Sequence, residues 1–222
     1  KMGTRNLTIV VHNGVYKIAQ YGQWDGYPDG QGLTVLNFCK EFLNSPENIE
    51  KFVNQINTKI YDPSQEEIKN MWKKFGVDID TCDGYVGFDV AKKFSEQYPS
   101  LSRDTAAEIL KLVMISKDPL PLNNSIEFAL DSLFCEWAYV IDLDNMYLEV
   151  YKGFNKNSLN ESDRFFKMEI ESRENMSAEK IMKNEYNAIK IVTKFSLYFL
   201  PTKEEFLNRI NELTKEPDEQ DN

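Results

Sequence analysis

TRNLTIVVHNGVYKIAQY (Thr4–Tyr21) decides the fold. The apolar, β-branched run Leu7–Val11 is followed by His12-Asn13-Gly14 and then by Val15–Ala19. An Asn-Gly pair between two such runs is a strong hairpin signal, because both central residues of a type I′ turn need positive φ. Two antiparallel strands are therefore predicted, Thr4–Val11 and Val15–Tyr21.

The second strand leads straight into AQYGQWDGYPDGQG (Ala19–Gly32). Asp-Gly and Tyr-Pro-Asp-Gly are turn chemistry, and a helical pattern begins at Leu33. A strand that ends in a polar, aromatic, Gly-rich loop opening onto a helix is a common setting for a ligand. Main-chain N–H groups at a helix start attract anions, and Trp or Tyr faces stack on planar groups. Arg5, Gln20, Gln23, Trp24, Asp25, Tyr27 and Gln31 are the candidate ligand-binding residues. Arg5 would hold an anionic group, Trp24 or Tyr27 would stack, and the Gln amides would read hydrogen bonds. The competing reading is a rigid corner, with Trp24 plugging the core and Asp25 and Gln23 satisfying loop amides. Gly30-Gln31-Gly32 matches neither GxGxxG nor GxxxxGK, so it is not a phosphate fingerprint.

Beyond this block the pattern turns helical. Leu33–Leu43, Glu47–Ile56, a helix from Ser64 to about Phe75, Phe88–Tyr98, Arg103–Ser116 and Ile126–Leu133 are predicted helices. Ser64 with Glu67 forms a capping-box pattern, as does Thr202 with Glu205 ahead of a last helix, Thr202–Leu213. Strand character returns with Glu136–Leu143 and Tyr147–Tyr151, a second hairpin around Asp144-Asn145. Arg164–Glu171 alternates apolar and charged residues as a half-exposed strand does. Ala178–Asn184 reads as a short helix and Ile189–Phe199 as a strand. Strands at both ends of a chain usually unite in one sheet. The expected fold is α+β, with an antiparallel sheet built from N- and C-terminal hairpins and a helical block, about 33–134, inserted between them. Residues 1–215 form one domain, and the acidic tail 216–222 is expected to be disordered.

Charge and cysteine usage narrow the function. The chain carries 36 acidic and 26 basic residues, a formal net charge of −10. That disfavours nonspecific binding to nucleic acid or to anionic membrane. No run is long enough to span a bilayer, and the start reads as a strand rather than a secretory leader. Lys1 ahead of Met2 is expected to be foreign to a natural chain beginning at Met2. Met2-Gly3 does not complete a myristoylation motif, which wants Ser or Thr where Leu7 stands. Cys39, Cys82 and Cys135 are odd in number and widely spaced, as expected of free thiols in a reducing, cytoplasmic setting.

Few residues can carry catalysis. His12 is the only histidine and sits beside a turn, so zinc and non-haem iron sites are disfavoured. Asp78–Asp83 with Asp89 invites a calcium reading, but Cys82 and Asp83 stand where an EF-hand loop needs an oxygen ligand and a glycine. The Asp83-Gly84 pair is read as a turn, and neither a metal nor a cofactor is expected. Acid–base work would fall to Asp25 and to Glu136, with Arg5 as the natural ion-pair partner and Thr4 as a third candidate.

MGTRNL (Met2–Leu7), the Ala19–Gly32 block and EWAYVIDLDNMYLEVYKG (Glu136–Gly153) carry a resemblance. Together they resemble an uncharacterised family of fungal, bacterial and phage proteins that share MGTR and QYxQWDGYPxGQG. That likeness implies no particular activity. Met2-Gly3-Thr4, Gln23-Trp24-Asp25 and Asp142–Val150 are also similar to the N-terminal nucleophile hydrolases of the bile-salt hydrolase type. This second likeness implies an Ntn-like fold. Its chemistry needs Cys, Ser or Thr as first residue, and removal of Met2 would expose Gly3. The leading expectation is therefore a protein that binds a small polar or planar ligand, or a partner's loop, at the QWDGYP site. A hydrolase or transferase using carboxylates there is the alternative, and a structural or interaction protein with no ligand the third.

Overall fold

Asn13 and Gly14 both adopt positive φ, +54° and +68°, and they join β1 (Asn6–His12) to β2 (Val15–Gly22) in the predicted antiparallel hairpin. The computed structural model describes residues 3–82, 86–176 and 185–215. Pairing steps from Val10 with Ile18 to Val11 with Tyr16, a bulge that leaves Lys17 as the extra residue. Two further two-residue strands, β3 (Ile60–Tyr61) and β4 (Leu120–Pro121), form a separate parallel pair.

The main sheet has five strands in the order β2-β1-β5-β6-β7, with β5 Trp137–Asp142, β6 Tyr147–Lys152 and β7 Lys190–Ser196. It is mostly antiparallel, as expected of an α+β chain. The join between its halves is parallel: β5 runs beside β1, with Asn6 opposite Trp137 and Val11 opposite Asp142. Parallel neighbours need a long crossover, and the helical block supplies it. The chain leaves β2 and re-enters at β5 at the same end of the sheet. The loop after β2, the Glu136 approach and Gly153 gather there, and both hairpin turns lie at the other end.

Both faces of the central strands are buried, whereas the edge strand β7 is half-exposed. Val10, Ile18, Tyr139, Ile141, Leu148 and Val150 point to one face, under α1 (Leu33–Phe42), α2 (Pro46–Thr58), α5 (Ile109–Ile115) and α7 (Lys203–Thr214). Leu7, Ile9, Val11, Ala19, Ala138 and Val140 point to the other, against Phe165, Ala129 and Ile189. Strand alternation sorts them, and each fully buried Leu, Ile or Val contributes roughly 1.5–3 kcal/mol. Helices α3 (Gln65–Lys73) and α4 (Phe88–Gln97) pair through stacked Trp72 and Phe94 rings, 3.6 Å between centroids. Both predicted capping boxes are present, Ser64 with Glu67 and Thr202 with Glu205.

Three expectations are corrected. Arg164–Glu171 is not a strand; α6 (Phe166–Glu174) occupies it. Its alternation misleads because Glu169 is buried, bonded to Arg173 and to the Ala188 N–H, whereas Ile170 is exposed. The predicted helix Arg103–Ser116 is a 3-10 turn, Ala106–Glu108, followed by the shorter α5, and Ile126–Leu130 is 3-10 as well. The sheet is antiparallel as expected, except at the parallel β1–β5 pair. The expected Asp83-Gly84 turn, the Ala178–Asn184 helix and the 216–222 tail lie outside the described residues.

Candidate functional site

Asn6 opens β1 fully buried, on the face that carries Tyr139. Its Nδ2 donates to the carbonyls of Thr4, Gly22 and Trp24 at 3.4, 3.3 and 3.2 Å. The Gly26 N–H donates to the Thr4 carbonyl at 3.0 Å, and the Tyr139 hydroxyl donates to the Gly26 carbonyl at 2.8 Å. Both glycines are needed for close approach. A Cβ on Gly26 would lie 2.6 Å from the Thr4 carbonyl, and one on Gly32 2.8 Å from the Tyr139 ring. The loop after β2 is thus bolted to the end of the sheet, and the π-helical turn Pro28–Gly32 leads directly into α1.

A second segment clamps it from outside. The Gln23 N–H donates to the Arg103 carbonyl at 3.1 Å, and Gln20 Nε2 to the Ser102 carbonyl at 3.0 Å. Trp24 Nε1 donates to Asp104 Oδ1 at 2.9 Å, and Gln31 Oε1 accepts the Ala107 N–H at 3.1 Å. Gln23 Oε1 accepts the Tyr21 hydroxyl at 2.6 Å. Ala106, buried against Gly22, is held at φ +41°. Such a conformation costs on the order of 1–3 kcal/mol and persists only where its surroundings over-determine it.

The candidate residues therefore divide. Gln20, Gln23 and Gln31 brace the loop. Trp24 is 43% and Tyr27 53% exposed, so Trp24 is not a core plug. Asp25 stands between them, exposed, at φ +53°, with its carbonyl taking the Gln31 N–H at 2.9 Å. Thr4 is buried, its carbonyl engaged by Gly26 and Asn6. Arg5 places its guanidinium over the Phe134 ring, 4.3 Å from the centroid, and its Nε is buried without an acceptor.

Arg5 and Glu136 meet through the main chain. The Arg5 N–H donates to Glu136 Oε1 at 3.3 Å, and the Glu136 N–H to the Arg5 carbonyl at 3.2 Å. Among the described residues no ion pair joins Arg5 to Glu136 or to Asp25, and no hydrogen bond joins Asp25 to Glu136. The alternation of β5, carried back one residue, sets Glu136 with Ala138 and Val140, whereas the loop lies over the Tyr139 side.

Nucleophilic chemistry finds little support. A Cβ on Gly3 would lie 2.5 Å from the Gln23 carbonyl and 2.7 Å from the Trp24 ring, so a Cys, Ser or Thr there would not fit as the chain stands. Cys39 and Cys135 are buried free thiols, and burial raises the pKa of each, which disfavours thiolate. His12 lies at the opposite end of the sheet, its Nδ1 3.6 Å from Asp144. Among the described residues there is no cluster of three or more His, Cys, Asp or Glu fit for a metal, and no helix long and apolar enough to cross a membrane.

Fold and site together define an α+β protein with a two-sided mixed sheet and a rigid aromatic–acidic loop at one end. Comparison with family models, with curated proteins and with solved structures finds no match. Asn6, Tyr139, Arg103 and Asp104 hold the site and were not among the predicted residues. For Asn6 a signal existed: with Thr8 it places polar groups on a strand face that the pattern otherwise makes apolar.

Proposed function

We propose that the chain is a binding protein whose exposed Trp24-Asp25-Gly26-Tyr27 tip takes a planar, cationic or strongly donating group, on a small molecule or on a partner's loop. The observation that carries this is Asp25, held in a left-handed conformation between two exposed aromatic rings. Strain of that kind clusters at ligand sites. A guanidinium-like plane suits such a surface, because it stacks on aromatic faces and pairs with a carboxylate. Preorganisation by Asn6, Tyr139 and the 102–107 clamp lowers the ordering cost of binding. The carboxylate hydrolase or transferase reading needs Asp25 and Glu136 within hydrogen-bond reach of one reacting group, and no contact favours it. The unpaired cysteines support a reducing, cytoplasmic setting.

The test is an NMR titration with N-acetylarginine amide, following the Trp24 indole N–H. Saturable shifts are expected, and Asp25→Asn or Tyr27→Ala should weaken binding at least about tenfold, ~1.4 kcal/mol, with Tm unchanged. Equal shifts with N-acetylalanine amide, or no loss in either variant, would return the loop to a purely structural role.

A further inference from the structure

A hollow lies where the end of β2 meets the Ser100–Arg103 segment. It has a volume of about 170 Å³ and is bordered by Gln20, Tyr21, Ser100, Arg103, Asn123 and Ser125, with Leu101 its apolar member. Two features set it apart. The first is Ser100: it is 1% exposed, and its hydroxyl is buried with no hydrogen-bond partner. Buried polar groups are ordinarily satisfied, and an orphan calls for an explanation. The second is Arg103, which forms no ion pair among the described residues even though the chain carries ten more acidic than basic residues. The neighbouring Asp104 carboxylate is occupied by the Trp24 indole.

The lining has no carboxylate. It offers one guanidinium, two hydroxyls, carboxamides and a phenol. Gln20 Nε2 is already committed to the Ser102 carbonyl, and the Tyr21 hydroxyl to Gln23. Among the described residues the Ser100 and Ser125 hydroxyls, the Asn123 amide and the Arg103 guanidinium have no hydrogen-bond partner and remain as donors. Arg103 lies near enough to the Tyr21 phenol to lower its pKa, against the larger raising effect of burial. A water occupies about 30 Å³ in the liquid, so the hollow has room for roughly five waters or for one compact anion. Charge-assisted bonds from a guanidinium to an oxyanion are about twice as strong as neutral ones.

From this we infer that the hollow bordered by Ser100, Arg103, Asn123 and Ser125 is a binding site for a compact oxyanion, of the size of a phosphate or a carboxylate group. Arg103 supplies the charge at its mouth and Ser100 the buried donor, and the clamp that fixes the Arg103 main chain against Gln23 fixes its position. The hollow includes none of the exposed surface of Trp24, Asp25 and Tyr27, so anion binding here and arginine amide binding at the loop stand or fall separately.

The experiment is an amide and Arg Nε–H NMR titration of the full chain with sodium phosphate and, in a second arm, sodium acetate. Sodium chloride at matched ionic strength is the control. Saturable shifts at Ser100, Leu101, Arg103 and Ser125 are expected in at least one arm, and the tighter arm assigns the geometry of the anion. Arg103→Gln should weaken binding at least tenfold and Ser100→Ala about three- to tenfold, with Arg103→Lys intermediate. Asn123→Ala, at an exposed position, gives a variant free of folding effects and should weaken binding severalfold. Unsaturable shifts, shifts equal to those with chloride, or unchanged affinity in both Arg103→Gln and Asn123→Ala would overturn the inference.

Discussion

Arg164→Met should cost about 3–5 kcal/mol at neutral pH, the usual penalty for stranding buried charge. Arg164 lies just before α6 and reaches across to two strands. Its Nε donates to Glu149 Oε2 at 2.8 Å and its Nη2 to Glu149 Oε1 at 3.0 Å, and Nη2 also pairs with Asp142. The Asp142 side chain is 1% exposed and that of Glu149 10%. Tyr151 donates its hydroxyl to the same Glu149 carboxylate at 2.9 Å. Removing the guanidinium leaves both acids in an apolar layer with Phe165.

The pH dependence has a definite sign. Burial alone would raise the Asp142 pKa, but bonds from the Asn145 side chain and main chain, and then Arg164, outweigh it and hold the carboxyl below its ordinary value. A depressed pKa contributes stability that is fully present above the unfolded value, near 3.9, and is lost as pH falls through the folded value. In Arg164→Met the Asp142 pKa rises and this contribution shrinks. The gap between wild type and variant should therefore be widest near pH 7 and narrow toward pH 4. Urea denaturation at several pH values measures it. A gap independent of pH would show that lost packing, not charge, sets the penalty.

Asn6→Ala is the second large effect. One buried amide serves three carbonyls; Thr4 keeps the Gly26 N–H and Trp24 the Gln31 amide, so the Gly22 carbonyl loses most, and orphaning a buried acceptor costs about 1–3 kcal/mol. We expect roughly 1–3 kcal/mol from urea denaturation. The loop should loosen with it: the Trp24 indole N–H, now fixed on Asp104, should exchange faster and lose its distinct NMR position. A loss below about 1 kcal/mol with an unchanged Trp24 signal would mean that Tyr139 and the 102–107 clamp hold the loop unaided.

Local chemistry was the legible part of this chain. Asn13-Gly14 announces its turn because few residues accept positive φ twice in a row, and Ser64 and Thr202 announce their caps through the acid three residues on. Long-range consequences were harder. No local pattern says that β5 will lie beside β1, since that depends on where the crossover returns. Arg164–Glu171 alternates in a way that fits a half-exposed strand, and only the buried Glu169 pair with Arg173 explains why a helix tolerates it. At the loop, residue types single out Ala19–Gly32 but not the division of labour within it. The side chains of Gln20 and Gln31 serve main-chain groups and that of Gln23 the Tyr21 hydroxyl, partners that residue type alone does not reveal.

The parallel β1–β5 pair has a consequence for how the chain is made. The N-terminal hairpin can close as soon as it emerges, because its pairing spans few residues. The inner edge of β1 waits for a partner 131 positions later, the separation of Arg5 from Glu136. During synthesis an apolar strand edge therefore stands open until Asp142 has left the ribosome, the kind of surface that chaperones shield. Contacts this distant in sequence slow folding, so refolding from denaturant should be limited by this late zippering rather than by either hairpin.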